Sequence, residues 1–228
     1  MSRSLPVARL IAFSLLLLGS LAITFASASY FVEEMPAFLI EKLPLPRQDL
    51  WLLALRAHVA AAALALPGCL LLCSKRLLRR APRLHRWLGR IVAAAVLLAL
   101  APSGFYLSLS AKGGLPSTLG FVASGLIVVW AMVQGIRAAR ARRYPQHRRY
   151  VLHVLAQLSV AVTSRALLVA LAACNIAETP AYLIALWLPV VASALWVELF
   201  VSPRRNHETS RALSDAVGLA GVGRTAAA

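Results

Sequence analysis

The sequence predicts an all-α protein, a polytopic transmembrane helical bundle of about six spans built around two similar hairpins. Three observations predict it. First, 60% of the 228 residues are hydrophobic, only 14% are charged and the mean hydropathy is +0.75; soluble chains run nearer half apolar with about a quarter charged. Second, the apolar residues gather into runs long enough to cross a ~30 Å hydrocarbon layer, for which about 20 helical residues suffice. Third, one phrase occurs twice, as Arg79-Arg80-Ala81-Pro82-Arg83-Leu84-His85-Arg86 and as Arg142-Arg143-Tyr144-Pro145-Gln146-His147-Arg148. Each copy joins two apolar segments and sets a histidine at the mouth of the second.

The spans are expected near residues 9–31, 50–73, 87–110, 117–138, 150–173 and 181–202. Helices are required because only helices and closed barrels satisfy their backbone in lipid, and strand alternation is absent. Arg3 and Arg9 precede the first span, which places the amino terminus in the cytoplasm. Ala26-Ser27-Ala28 after that apolar run resembles a signal cleavage site. The run is long for a signal core, so a retained helix is expected; cleavage after Ala28 would leave five spans. The loop at 32–49 carries Glu33, Glu34, Glu41 and Asp49 against Lys42 and Arg47 and reads as external.

Basic residues then fill alternate turns. Lys75, Arg76, Arg79, Arg80, Arg83, Arg86 and Arg90 crowd one, and Arg137, Arg140, Arg142, Arg143, Arg148 and Arg149 the other. A net charge of +16 in a soluble protein would point to nucleic acid. Confined to alternate short loops, it is topogenic instead and holds those loops in the cytoplasm, where it meets anionic lipid headgroups. The partner expected is the lipid bilayer, not nucleic acid. Three domains follow: 1–49, the first helix and an external loop; 50–203, a five-helix membrane core; and 204–228, a mobile cytoplasmic tail. Both termini are expected on the cytoplasmic side of a bacterial plasma (inner) membrane.

Prolines at Pro67, Pro102 and Pro189 fall inside spans. Each removes a backbone hydrogen bond and clashes with the preceding turn, and three together favour a cavity between helices. Cys69 and Cys73, four apart on one helix face, lack histidine or cysteine partners and read as small thiols rather than metal ligands.

Ionisable groups inside spans are the functional candidates, because a charge at bilayer depth is costly. His58 lies roughly 13 Å into the second span, and Arg165 at a comparable depth in the fifth. No span carboxylate shares that level, so Arg165 must find carbonyls, water, His58 or a bound anion. At the other side gather His85, His147, His153 and Glu198. Helix amino termini disfavour imidazolium and keep imidazole neutral, as a haem ligand needs; with Arg86, Arg90, Arg148 and Arg149 they also suit an anion. A haem b held by His85 and either His147 or His153 is one outcome, a quinone or lipid headgroup another, and plain capping at the water boundary a third. Glu198 is an acceptor for His153, His85 or an interfacial arginine. A two-haem wire is disfavoured, because the outer half offers His58 alone. No phosphate loop, metalloprotease helix or nucleophile elbow occurs, so no enzyme class is indicated.

Taken together, His58, Leu84-His85-Arg86-Trp87-Leu88-Gly89-Arg90, Gly104, His147-Arg148 and Thr163-Ser164-Arg165 resemble a bacterial membrane-protein family known as a predicted membrane domain of unknown function. The likeness covers about residues 50–200, and Glu198 fits it. The chain departs from it at Pro189-Val190, where Pro-Asn is the expected pair. The resemblance implies a plasma-membrane helical bundle and no established activity; haem-binding four-helix cytochromes of the b type are an analogy in fold and histidine placement. The leading expectation is a redox-associated protein holding haem b or a quinone in the bundle. The alternative is a non-enzymatic membrane protein that binds a lipid or small anion or scaffolds a membrane complex.

Overall fold

The computed structural model describes residues 4–32 and 47–201. The acidic loop residues 33–46 and the tail beyond 201 lie outside the described residues. All regular structure among the described residues is helical, and six helices are long and apolar enough to cross a membrane. They are Leu10–Phe31, Gln48–Leu72, Pro82–Ser108, Leu115–Arg140, Tyr144–Ala173 and Glu178–Leu199, called here the first to sixth spans. At about 1.5 Å per residue they are roughly 33 to 45 Å long.

The third and fifth spans start earlier than the apolar pattern predicts, at Pro82 and Tyr144 rather than near 87 and 150. Proline near the first helical position explains both starts: its ring presets a helical φ, and its missing N–H has no partner to lose there. His85 and His147 therefore sit in first turns, where their own N–H groups donate to the carbonyls of Ala81 (3.0 Å) and Arg143 (2.9 Å).

The two Arg-rich turns share one end of the bundle, since short connections force consecutive spans to alternate. Their construction differs. The first holds an extra short helix, Lys75–Arg80, whose Leu77 N–H is capped by Ser74 Oγ. The second is tight: Arg142 adopts φ 58° and Arg143 N–H reaches back to the Ala138 carbonyl at 2.8 Å, a Schellman closure. The opposite end, here termed distal, carries the Lys112–Glu178 ion pair.

The fifth span packs most broadly, against the fourth and sixth, and the second packs along the third. The shared core runs through Ala61, Ala65, Cys69, Val92, Val96, Val128, Ala131 and Val154. Small side chains on the second span let the third approach closely: a Cβ on Gly68 would stand 2.5 Å from Val92 Cγ2. The first span lies on the second and fifth, with Gly19 against Val162, and Arg56 Nε donates to the Tyr30 carbonyl at 2.9 Å. Outward-facing Leu15, Leu18, Phe25, Leu98, Val169 and Leu188 are the side chains that a hydrocarbon solvent accepts.

One irregularity positions the site. Residues Ala95–Leu100 form a π-helical segment just before Pro102. Pro102 has no N–H for the Leu98 carbonyl, and its ring crowds that carbonyl; widening the turn relieves both. Beside it, the carbonyls of Ala99 and Leu100 accept the Ser103 hydroxyl, and Leu100 also accepts from His58.

Candidate functional site

Two polar clusters stand on this frame. The distal one is a cavity of about 370 Å³ between the second, third, fourth, fifth and sixth spans. Its walls are largely apolar, with Leu55, Leu100, Phe105, Phe121 and Val128; its polar groups are His58, Arg165, Tyr182, Trp51 and Ser108. The proline-associated cavity expected from the sequence is thus present, with Leu100, Ala101 and Gly104 forming part of one wall.

His58 Nδ1 lies 3.1 Å from the Leu100 carbonyl and 3.2 Å from Ser103 Oγ. A carbonyl only accepts, so Nδ1 carries a proton, and in the neutral ring that leaves Nε2 as the acceptor. Gly104 makes room for that ring: a Cβ there would stand 3.1 Å from His58 Cε1. Arg165 donates from Nη1 to the Ala161 carbonyl at 2.7 Å, one turn back on its own helix. That clamp occupies one of five guanidinium N–H groups. Arg165, His58 and Tyr182 line the same cavity, and no carboxylate is among its lining residues.

The second cluster lies toward the Arg-rich end. Glu198 accepts from Arg149 Nη2 through one oxygen, and His153 Nε2 sits 2.9 Å from the other. His153 is only 4% exposed, packs edge-on to Trp130 and has no partner at Nδ1. Its Nε2 is thereby committed to Glu198, which leaves a prospective ligand only the buried Nδ1. His147 Nδ1 donates to the Gly135 carbonyl at 2.9 Å, the tautomer that frees Nε2. His85 is half-buried, with an unpartnered Nδ1, and His147 is its electrostatic neighbour. The structure thus groups His153 with Glu198, His85 with His147, and His58 with Arg165. No group of three or more histidine, cysteine or acidic side chains suited to a metal occurs among the described residues.

One buried polar residue was not singled out by the sequence. Gln157 is 3% exposed in the middle of the fifth span. Its Oε1 accepts from Ser124 Oγ at 2.9 Å, while its Nε2 donates to the Val190 carbonyl and Ser193 Oγ, both at 3.0 Å. The signal was available: a lone amide in an apolar run, four residues after His153, needs partners on other helices.

The family described as "Predicted membrane protein (DUF2306)" matches residues 55–201. The chain belongs to that family. The match takes in His58, His85, His147, His153, Arg165 and Glu198, and it agrees with the resemblance carried by the sequence motifs. No curated protein and no solved structure matches the chain.

Proposed function

We propose that this member of the family is a multi-pass protein of the bacterial plasma membrane that binds a lipid-soluble anion in its distal cavity. Both termini and the Arg-rich turns face the cytoplasm, so the cavity opens in the outer half of the bilayer. The observation that carries this reading is Arg165: a guanidinium lining a mostly apolar cavity without a lining carboxylate. A lone arginine at bilayer depth costs about 2.5–3.5 kcal/mol on insertion scales, and an anion in the cavity offsets that cost. The arginines of the turns lie at the water boundary and make no such demand. A quinone head would fit the walls and accept hydrogen bonds, but it carries no charge to match Arg165. The geometry therefore favours the alternative of the two functions the sequence suggested.

Native mass spectrometry of the protein released from membranes in mild detergent tests it. The parent is expected to retain an anionic amphiphile that Arg165→Gln loses. Equal retention by both proteins refutes the assignment.

A haem b near the Arg-rich end remains a second reading, supported by one feature. His147 donates Nδ1–H to a backbone carbonyl, as metal-bound imidazoles do to fix their tautomer, and His85 is its neighbour. Expression with ample haem should then give a Soret band that His85→Ala and His147→Ala each abolish. A band that survives both substitutions rules out this pair.

A further inference from the structure

The distal cavity selects among anions. Resting on the proposal that it binds one at all, we infer that its ligand is a phosphomonoester, the headgroup of a membrane lipid phosphate such as phosphatidic acid.

The two polar groups that define the cavity make opposite demands. Arg165 is a fixed cation with four N–H groups beyond its clamp on Ala161, and it asks for oxyanions, best met two at a time. His58 asks for a donor. The Leu100 carbonyl holds its proton on Nδ1, so the neutral ring presents Nε2 as an acceptor. A carboxylate satisfies Arg165 but has no O–H to give His58. A phosphodiester is in the same position. A phosphomonoester with one proton meets both needs: two oxygens for the guanidinium and one P–O–H for Nε2. Tyr182 also lines the cavity. The apolar residues Leu55, Leu100, Phe105 and Phe121 then receive the start of an acyl chain, whose remainder continues into the bilayer.

Two features of the chain support a deliberate acceptor. The Leu100 carbonyl holds the ring through Nδ1, and Gly104 leaves space that any Cβ would narrow to 3.1 Å.

The test uses the full chain in phosphatidylcholine nanodiscs doped at equal mole fraction with phosphatidic acid, phosphatidylmethanol or oleic acid. Native mass spectrometry reads which dopant is retained. Phosphatidic acid should exceed the other two about tenfold or more, the worth of one hydrogen bond to a charged partner. His58→Asn keeps a donor near the Nδ1 position for Leu100 but places nothing at Nε2. It should bind all three dopants with the preference removed, whereas Arg165→Gln should bind none.

A parent that holds oleic acid and phosphatidylmethanol as well as phosphatidic acid overturns the phosphomonoester inference and leaves anion binding intact. So does a preference that survives His58→Asn, which charge alone would then explain. Full binding by Arg165→Gln overturns the underlying reading instead. Excess inorganic phosphate separates the sources: displacement of phosphatidic acid assigns the site to the free headgroup chemistry, and resistance assigns it to the lipid.

Discussion

Replacing Gln157 with leucine removes the amide that ties the middle of the fifth span to both the fourth and the sixth. Three hydrogen bonds are lost: Ser124 to Oε1, and Nε2 to the Val190 carbonyl and to Ser193. Interhelical hydrogen bonds in bilayers average about 0.6 kcal/mol each, so the sum is about 2 kcal/mol. Two effects reduce it. Ser193 already donates to the Val190 carbonyl at 3.1 Å and keeps that bond, and a leucine of similar size fills the space without a polar atom to satisfy. The expected loss is about 1–2 kcal/mol, read by reversible unfolding in mixed micelles or by steric trapping in bicelles. A cycle with Ser124→Ala should show a coupling of about 0.6 kcal/mol. A leucine variant as stable as the parent would show that the buried amide contributes nothing to holding these helices. It would then have to be explained by ligand handling.

Gly68→Ala should destabilise the bundle by about 1–3 kcal/mol, the cost of overpacking, because the new Cβ would meet Val92 at 2.5 Å; Val92→Ala in the same chain should restore much of the loss, as micellar unfolding would show. Gly104→Ala is expected to fold yet to retain less of the cavity ligand by native mass spectrometry, since it crowds the His58 ring. Orientation can be read from the native thiols. Cys73 and Cys174 are both exposed and lie at opposite ends of the bundle. A membrane-impermeant maleimide should modify Cys174 on cells whose outer membrane has been opened, and Cys73 only after the inner membrane is breached; early labelling of Cys73 would invert the proposed topology.

Much of the architecture is visible in the residues themselves. Apolar run length gives six helices, because hydrocarbon thickness leaves little choice, and the duplicated Arg-Arg-x-Pro phrase marks both turns at one end. The third and fifth helices begin earlier than hydropathy suggests, since the charged turns Arg83–Arg90 and Gln146–Arg149 are helical without being apolar. At about 40 and 45 Å those helices exceed the hydrocarbon layer, which lets their charged first turns stand in the headgroup region. Pairings were less legible. Depth along a span is readable from residue counts, so His58 and Arg165 could be placed at one level. Which histidine meets Glu198 depends on helix rotation, which a uniformly apolar helix does not reveal. Gln157 carries no charge to mark it in an apolar run, although its buried amide has the same need for partners as an ionisable group.

The π-helical turn could not be foreseen from Pro102 alone, since a proline can also be absorbed by a simple bend. Its consequence links fold to function. A six-residue π segment changes the angular register between the two halves of the third span. The half bearing His85 and Arg90 faces the Arg-rich turns, while the half bearing Ser103 and Gly104 faces His58. The Leu100 carbonyl, at the end of that π segment, accepts from His58 Nδ1. The bond to Leu100 therefore sets which nitrogen of the neutral His58 ring is left as an acceptor. Arg165, held by its own helix at Ala161, supplies the charge opposite. A cavity made by bending alone would have space; this one has a donor side and an acceptor side, and that asymmetry is what a ligand would read.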